Sequence, residues 1–110
     1  MGKIAIRGFK EIKVYDQKDI VFCHSEGRYT FIHFSDESEM ITARQLKCIE
    51  DKLSAKDFCR IHNSYLVNIN YIKSIRDHIA ILINNIELPI AKRRNKFLLD
   101  SMKEHDIELI

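Results

Sequence analysis

Residues 58–70 read Phe-Cys-Arg-Ile-His-Asn-Ser-Tyr-Leu-Val-Asn-Ile-Asn, and this stretch decides how the rest of the chain is interpreted. Apolar residues at both ends favour burial, and four hydrogen-bonding side chains lie among them, namely Arg60, His62, Asn63 and Ser64. No single helical or strand period fits, so we predict a turn, or one short helical turn, between two strands. Such a turn can present polar side chains rigidly to a partner. In the alternative interpretation, Asn63 and Ser64 only shape the backbone.

Upstream of this stretch, alternating or apolar segments predict five short strands separated by polar turns. The predicted strands are Lys3–Arg7, a segment around Ile12 and Val14, residues 20–23, Tyr29–Phe34 and Glu39–Thr42. Residues 24–28 are predicted to form a loop in which Gly27 allows backbone conformations that other residues resist. Apolar side chains on both faces place the fourth strand inside a sheet.

Two helices are predicted among these strands. Thr42 and Gln45 have the spacing of a capping box, and an apolar stripe then predicts a core-facing helix to about Leu53. A second helix is predicted from about Lys92 to the end of the apolar pattern.

The segment 79–90 predicts a β-hairpin, because Asn84 and Asn85 tolerate the positive φ of a two-residue turn. The predicted pairs, all on one face, are Ile83 with Ile86, Ile81 with Leu88 and Ile79 with Ile90. Pro89 lacks an amide donor, so its strand is predicted to lie at a sheet edge. A further strand is predicted at residues 71–76.

Strands that do not alternate regularly with helices argue against a parallel sheet. The sequence predicts a single mainly β domain over residues 1–110, with short antiparallel strands, one short internal helix and a C-terminal helix. Its content of 45% hydrophobic and 31% charged residues is typical of a globular protein. No apolar run is long enough for a membrane span, and no signal peptide is visible. The odd number of cysteines, three, argues against a disulfide framework and favours a reduced, cytoplasmic protein.

Catalytic and metal-binding patterns find little support in the sequence. Cys23 and His24 are neighbours in a predicted strand and therefore point to opposite faces. A zinc site built from Cys23, Cys59 and His62 lacks a fourth ligand, and only the last two have close spacing. Buried cysteines acting as small apolar residues are the preferred interpretation. We predict no enzymatic activity, no metal and no cofactor.

The basic cluster of Lys92, Arg93, Arg94 and Lys96 has more functional meaning than the net charge of +2. Its cations can neutralise phosphates, and arginine can form two parallel hydrogen bonds with guanine. The alternative is a solvated helix start. Cations at a helix N-terminus oppose the helix dipole at a cost of a few tenths of a kcal/mol each, which favours a functional role only weakly.

Three segments together resemble the LytTR family of DNA-binding domains. They are Phe-x-Arg-Ile-His-x-Ser-Tyr-Leu-Val-Asn with Ile72 after it, Leu88-Pro-Ile-Ala-Lys-Arg-Arg94, and Ile20-Val-Phe through Tyr29-Thr30. The resemblance extends over residues 19–99. It implies stacked sheets with loops facing double-stranded DNA, and the role of a transcriptional output domain in a bacterial two-component response regulator. It also implies paired direct repeats as the target, a homodimer on DNA and a receiver domain in a longer chain.

The resemblance also implies which side chains contact DNA. Asn63 would read a base edge, with adenine as the natural partner of asparagine, and Arg93 would be the second base reader. Two residues depart from the family pattern. Asn63 stands where many members carry arginine or lysine, and Ala91 replaces a frequent serine. The predicted DNA-binding residues are Asn63, Arg93, Arg94, Lys92, His62, Ser64, Arg28, Tyr29 and Lys96.

Two other functions remain open at this stage. Tyr29, Phe31 and Tyr65 are aromatic residues on predicted strands, and such residues beside cations can stack unpaired bases of single-stranded nucleic acid. Alternatively, the basic edge could bind an acidic protein partner.

Overall fold

The computed structural model describes residues 1–110 and contains ten strands and two α-helices. The strands are β1 (Lys3–Arg7), β2 (Ile12–Asp16), β3 (Ile20–Glu26), β4 (Tyr29–Phe34), β5 (Glu39–Thr42), β6 (Phe58–His62), β7 (Tyr65–Asn68), β8 (Ile72–Arg76), β9 (Ile79–Leu82) and β10 (Glu87–Pro89). The helices are α1 (Leu46–Lys52) and α2 (Asn95–Glu104), and short 3-10 turns lie at Gln17–Asp19, Ile69–Tyr71 and Lys92–Arg94. The mainly β class with two helices is therefore confirmed. Neither helix is long and apolar enough to cross a membrane.

All strand pairs are antiparallel and form three sheets. The central sheet has five strands in the order β5-β4-β3-β7-β6, and β4 lies inside it as predicted. The other two sheets are the hairpin β1-β2 and the three-stranded sheet β10-β9-β8, in which β10 with Pro89 is an edge strand, as predicted.

Two apolar cores lie on opposite faces of the central sheet. The first core contains Ile6 of β1 and the α1 residues Leu46 and Ile49, so the predicted helical stripe is confirmed as buried. The second core contains Leu82 of β9 and Leu98 of α2. Burial on both faces explains why the central strands carry apolar residues without clear alternation.

A β-bulge accounts for the absence of a simple period in residues 58–70. The register of β6 against β7 shifts between Arg60 and His62, where the extra residue is the fully buried Ile61. A bulge changes which side chains face each side of the sheet. The turn predicted in this stretch lies at Asn63-Ser64, between β6 and β7, and a short helical turn follows β7.

The capping box predicted for α1 is wrong. Helix α1 begins at Leu46, and its N-cap residue Gln45 makes no side-chain capping bond. Thr42 is instead the last residue of β5, where its hydroxyl donates to the Arg7 carbonyl and accepts from the Arg44 amide. Strand β5 therefore extends through the position that the motif assigned to the cap.

The predicted hairpin register at residues 79–90 is wrong by one residue. Leu88 pairs with Ala80 rather than with Ile81. The Leu82 amide donates to the Ile86 carbonyl at 2.9 Å, so three residues lie between this last bonded pair. The third of them, Asn85, adopts a φ of 67°, as in a turn that ends with a left-handed residue. The shift buries Ala80, Leu82 and Leu88 and leaves Ile83 exposed.

The loop predicted at residues 24–28 is mostly strand. Strand β3 continues to Glu26, which pairs with Tyr29, so only Gly27 and Arg28 form the turn. Gly27 has a φ of 60°, which explains the glycine at this position. The short turn places Arg28 and Tyr29 firmly at the end of the sheet.

Candidate nucleic-acid interface

One end of the central sheet carries most of the predicted DNA-binding residues. Because β3 and β7 are adjacent and antiparallel, the turns Gly27-Arg28 and Asn63-Ser64 lie at the same end of the sheet. We call it the reading end. The amide of Ser25 donates to the carbonyl of Ser64 at 3.0 Å, so the two turns are joined. Two predicted regions that lie far apart in sequence therefore form one surface.

Arg60 organises the Asn63-Ser64 turn from beneath. Its Nε donates to the His62 carbonyl at 3.0 Å, and its Nη2 donates to the Asn63 carbonyl. Its Nη1 donates to Glu50 Oε1 of α1 at 2.9 Å, and only 16% of the Arg60 side chain is exposed. One guanidinium thus fixes the turn to the helix behind it, through charge-assisted bonds that are stronger than neutral ones.

Asn63 and Arg93 meet on the surface of this turn. Arg93 Nη2 donates to Asn63 Oδ1 at 3.1 Å, and both residues are exposed. The 3-10 turn Lys92–Arg94 is held against β6, because the Ala91 amide donates to the Ile61 carbonyl at 2.8 Å. The two residues predicted to read bases are therefore brought together, with Lys92 exposed beside them.

Other predicted residues have contacts within the protein. Arg94 is half-buried and its Nη1 donates to the Arg60 carbonyl at 3.2 Å, while its buried Nε has no partner. His62 Nδ1 accepts from the Ser64 amide at 3.0 Å and so shapes the turn. These contacts agree with a structural role for Arg94, His62 and Ser64, and their contact with DNA stays a prediction.

The remaining predicted residues, Arg28, Tyr29 and Lys96, are exposed. Tyr29 has its ring 5.8 Å from the ring of Phe9, edge to face, and Phe9 belongs to the turn of the β1-β2 hairpin. The N-terminal hairpin therefore reaches the reading end, a position that the sequence did not predict. The one available signal in the sequence was the aromatic and basic composition of residues 7–10.

A pair of histidines lies on the neighbouring strands β3 and β4. His24 Nδ1 and His33 Nε2 are 2.9 Å apart, and His33 stacks on Phe22 at a centroid distance of 4.1 Å. Glu26 and Glu39 flank the pair, 3.7 Å from His24 Nε2 and 3.5 Å from His33 Nδ1. Burial, and secondarily the charge of His24, lower the pKa of His33 below its usual value, while Glu39 acts in the opposite direction.

This lowered pKa predicts a loss of stability in mild acid. Below about pH 6.5 the unfolded chain binds a proton at His33 more readily than the folded protein does. The free energy of unfolding therefore decreases as the pH is lowered. We expect His33→Gln to reduce the difference in Tm between about pH 7.5 and about pH 5.5, measured by circular dichroism. An equal pH dependence in parent and variant would contradict this assignment.

The cysteines are not brought together. Cys23 lies in the first core and Cys59 in the second, on opposite faces of the central sheet. Burial raises the pKa of Cys23 to about 12 and also raises the pKa of Cys59. The Cys23 thiol therefore stays protonated at neutral pH, the form that is not nucleophilic.

The fold and the reading end define a small β-rich domain that presents polar and basic side chains from turns. The sequence matches the family described as LytTr DNA-binding domain over residues 10–103. The chain belongs to this family.

Longer bacterial regulators contain similar sequences. Transcriptional regulatory protein NatR of Bacillus subtilis is 42% identical over 66% of this chain and 30% of its own length. Sensory transduction protein LytT of Oceanobacillus iheyensis is 32% identical over 94% of this chain and 45% of its own length. Sensory transduction protein LytT of Bacillus subtilis is 35% identical over 67% of this chain and 30% of its own length. The chain thus spans less than half of each of these relatives.

A solved LytTr DNA-binding domain from Bacillus cereus has a similar fold. The TM-score is 0.79, and the match covers 93% of this chain and 97% of that chain. With 16% sequence identity, this similarity concerns the fold alone. It confirms the predicted LytTR-like arrangement of sheets.

Proposed function

We propose that this domain binds double-stranded DNA in a sequence-specific manner and is the output domain of a transcriptional regulator. Family membership supports DNA binding. The observation that carries the sequence-specific part is the contact between Arg93 and Asn63 on a turn that Arg60 holds from beneath. Both are residue types that read base edges, and they are exposed side by side on a rigid support.

In the proposed complex, turn side chains enter the major groove in place of a recognition helix. Asn63 contacts an adenine edge and Arg93 a guanine edge, as the geometry of these side chains allows. Lys92 and Lys96 are exposed close to Arg93 in sequence and contact phosphates. Arg28 and Tyr29 supply a further contact from the neighbouring turn.

The setting of the domain is part of the proposal. The relatives are longer and are named as transcriptional regulatory or sensory transduction proteins. We propose that the domain works in a bacterial cytoplasm, joined to a receiver domain in a two-component response regulator. Two copies would then occupy paired direct repeats, as a homodimer on DNA.

Selection from a random duplex library at several salt concentrations tests the proposal. We expect an enriched motif, and a fall in affinity with salt that corresponds to several phosphate contacts. Tighter binding to a single strand than to its duplex would favour a single-strand binder instead. Absence of enrichment, with weak binding lost at moderate salt, would reject sequence-specific recognition and direct attention to a protein partner.

A further inference from the structure

A second group of cations extends the reading end beyond the base-reading residues. Arg7 and Lys10 flank the turn of the β1-β2 hairpin, and Arg44 follows β5. All three side chains are exposed. No ion pair engages any of them, whereas Lys3, at the opposite end of the same hairpin, binds Asp16 at 3.1 Å.

Two buried threonines hold the backbone that carries Arg7 and Arg44. The Thr30 hydroxyl donates to the Arg44 carbonyl at 2.7 Å, and the Thr42 hydroxyl donates to the Arg7 carbonyl at 2.7 Å. Both threonines are only 1% exposed. Gly8 approaches β5 so closely that a Cβ there would lie 2.9 Å from Met40 Cε. Arg7 and Arg44 therefore stand on fixed backbone at the sheet end.

The width of the sheet determines what these cations can contact. From β6, beside the readers, to β5, beside Arg44, the order β5-β4-β3-β7-β6 contains four strand spacings. At about 4.8 Å per spacing the distance is roughly 19 Å. The major groove is about 12 Å wide. If a duplex lies across the reading end with Asn63 and Arg93 in its groove, its phosphate backbone faces the far side of that end.

We propose that Arg7, Lys10 and Arg44 form a phosphate-binding flank, which contacts the DNA backbone outside the base pairs that Asn63 and Arg93 read. The contact of Phe9 with Tyr29 keeps the hairpin turn, and with it Lys10, at this end of the sheet. The flank adds affinity without sequence information, because phosphates are the same at every base pair. This inference rests on the proposed duplex binding and extends its footprint.

Salt-dependent binding of Arg44→Ala, Lys10→Ala and the double variant tests the flank, with Lys3→Ala as the control. The probe is the duplex selected from the random library, compared with a random duplex of equal length. Each flank substitution is expected to reduce the slope of log K against log salt by about 0.9 and to weaken both duplexes by the same factor. Lys3→Ala is expected to keep the parent slope, and thermal unfolding verifies that every variant is folded.

A truncation series of the selected duplex supplies a second measurement. Removal of base pairs on one side of the motif should weaken the parent more than the double variant, which keeps only Arg7 of the flank. An unchanged salt slope in the double variant, or equal sensitivity of parent and double variant to truncation, overturns the flank while the proposed function stands. A parent domain that binds no duplex overturns the proposed function and the flank together.

Discussion

Arg60→Ala is expected to lower the free energy of unfolding by about 2–4 kcal/mol, because it removes three hydrogen bonds from one partly buried charged group. The substitution leaves the carbonyls of His62 and Asn63 without their donors, and Glu50 of α1 without its cation. The loss is therefore larger than for a surface ion pair, which contributes at most about 1 kcal/mol. Urea unfolding of parent and variant measures the difference.

The same substitution is expected to weaken binding to the selected duplex more than binding to a random duplex. A turn that has lost its support no longer holds Asn63 in one place. The free-energy cost of ordering the turn on binding then lowers the affinity for the selected duplex. Arg76→Ala, which removes an exposed arginine of β8, is the matched control for charge. A variant as stable and as selective as the parent would show that Arg60 does not organise the turn.

Asn63→Ala and Arg93→Ala are each expected to reduce the preference for the selected duplex by about 1–3 kcal/mol, roughly 5- to 150-fold. Each substitution removes a side chain that would pair with a base edge. The Arg93–Asn63 contact of 3.1 Å adds a second expectation, because residues in contact are seldom energetically independent. The loss in the double variant should differ from the sum of the single losses by at least about 0.5 kcal/mol.

Competition binding with the selected duplex and a randomised one measures both effects. Lys56→Ala removes an exposed cation from the segment that precedes β6, at the opposite end of that strand, and should leave the preference unchanged. If both alanine variants discriminate as well as the parent, the assignment of the base readers is wrong. If the two losses add, the contact between the readers has no role in recognition.

Local patterns predicted much of the fold. Strands Lys3–Arg7, Tyr29–Phe34 and Glu39–Thr42 have the predicted bounds, because each segment has strand-forming residues between clear turn signals. The predicted register of the β9-β10 hairpin was wrong, because isoleucine occurs on both faces there and the left-handed Asn85 decides the loop length. The bulge at Ile61 also had no local signal, because it depends on pairing with β7.

The candidate site was predictable only in part. The family resemblance drew attention to Asn63 and Arg93, and the fold places them in contact. The role of Arg60 was missed, because its partner Glu50 lies ten residues away on a helix whose position depends on tertiary packing. That the Arg94 side chain points inward, to the Arg60 carbonyl, was missed for the same reason. In the basic cluster, charge could be predicted from the sequence, but the orientation of each cation could not.

The turn that carries Arg93 also seals a sheet edge. Strand β6 is the last strand of the central sheet, and carbonyls at its outer side accept from the Ala91 amide and the Arg94 guanidinium. An uncovered edge strand is a template for pairing with another molecule. Substitution of Arg94 removes one of these two contacts and uncovers part of the edge, so we expect such a variant to self-associate more readily than the parent.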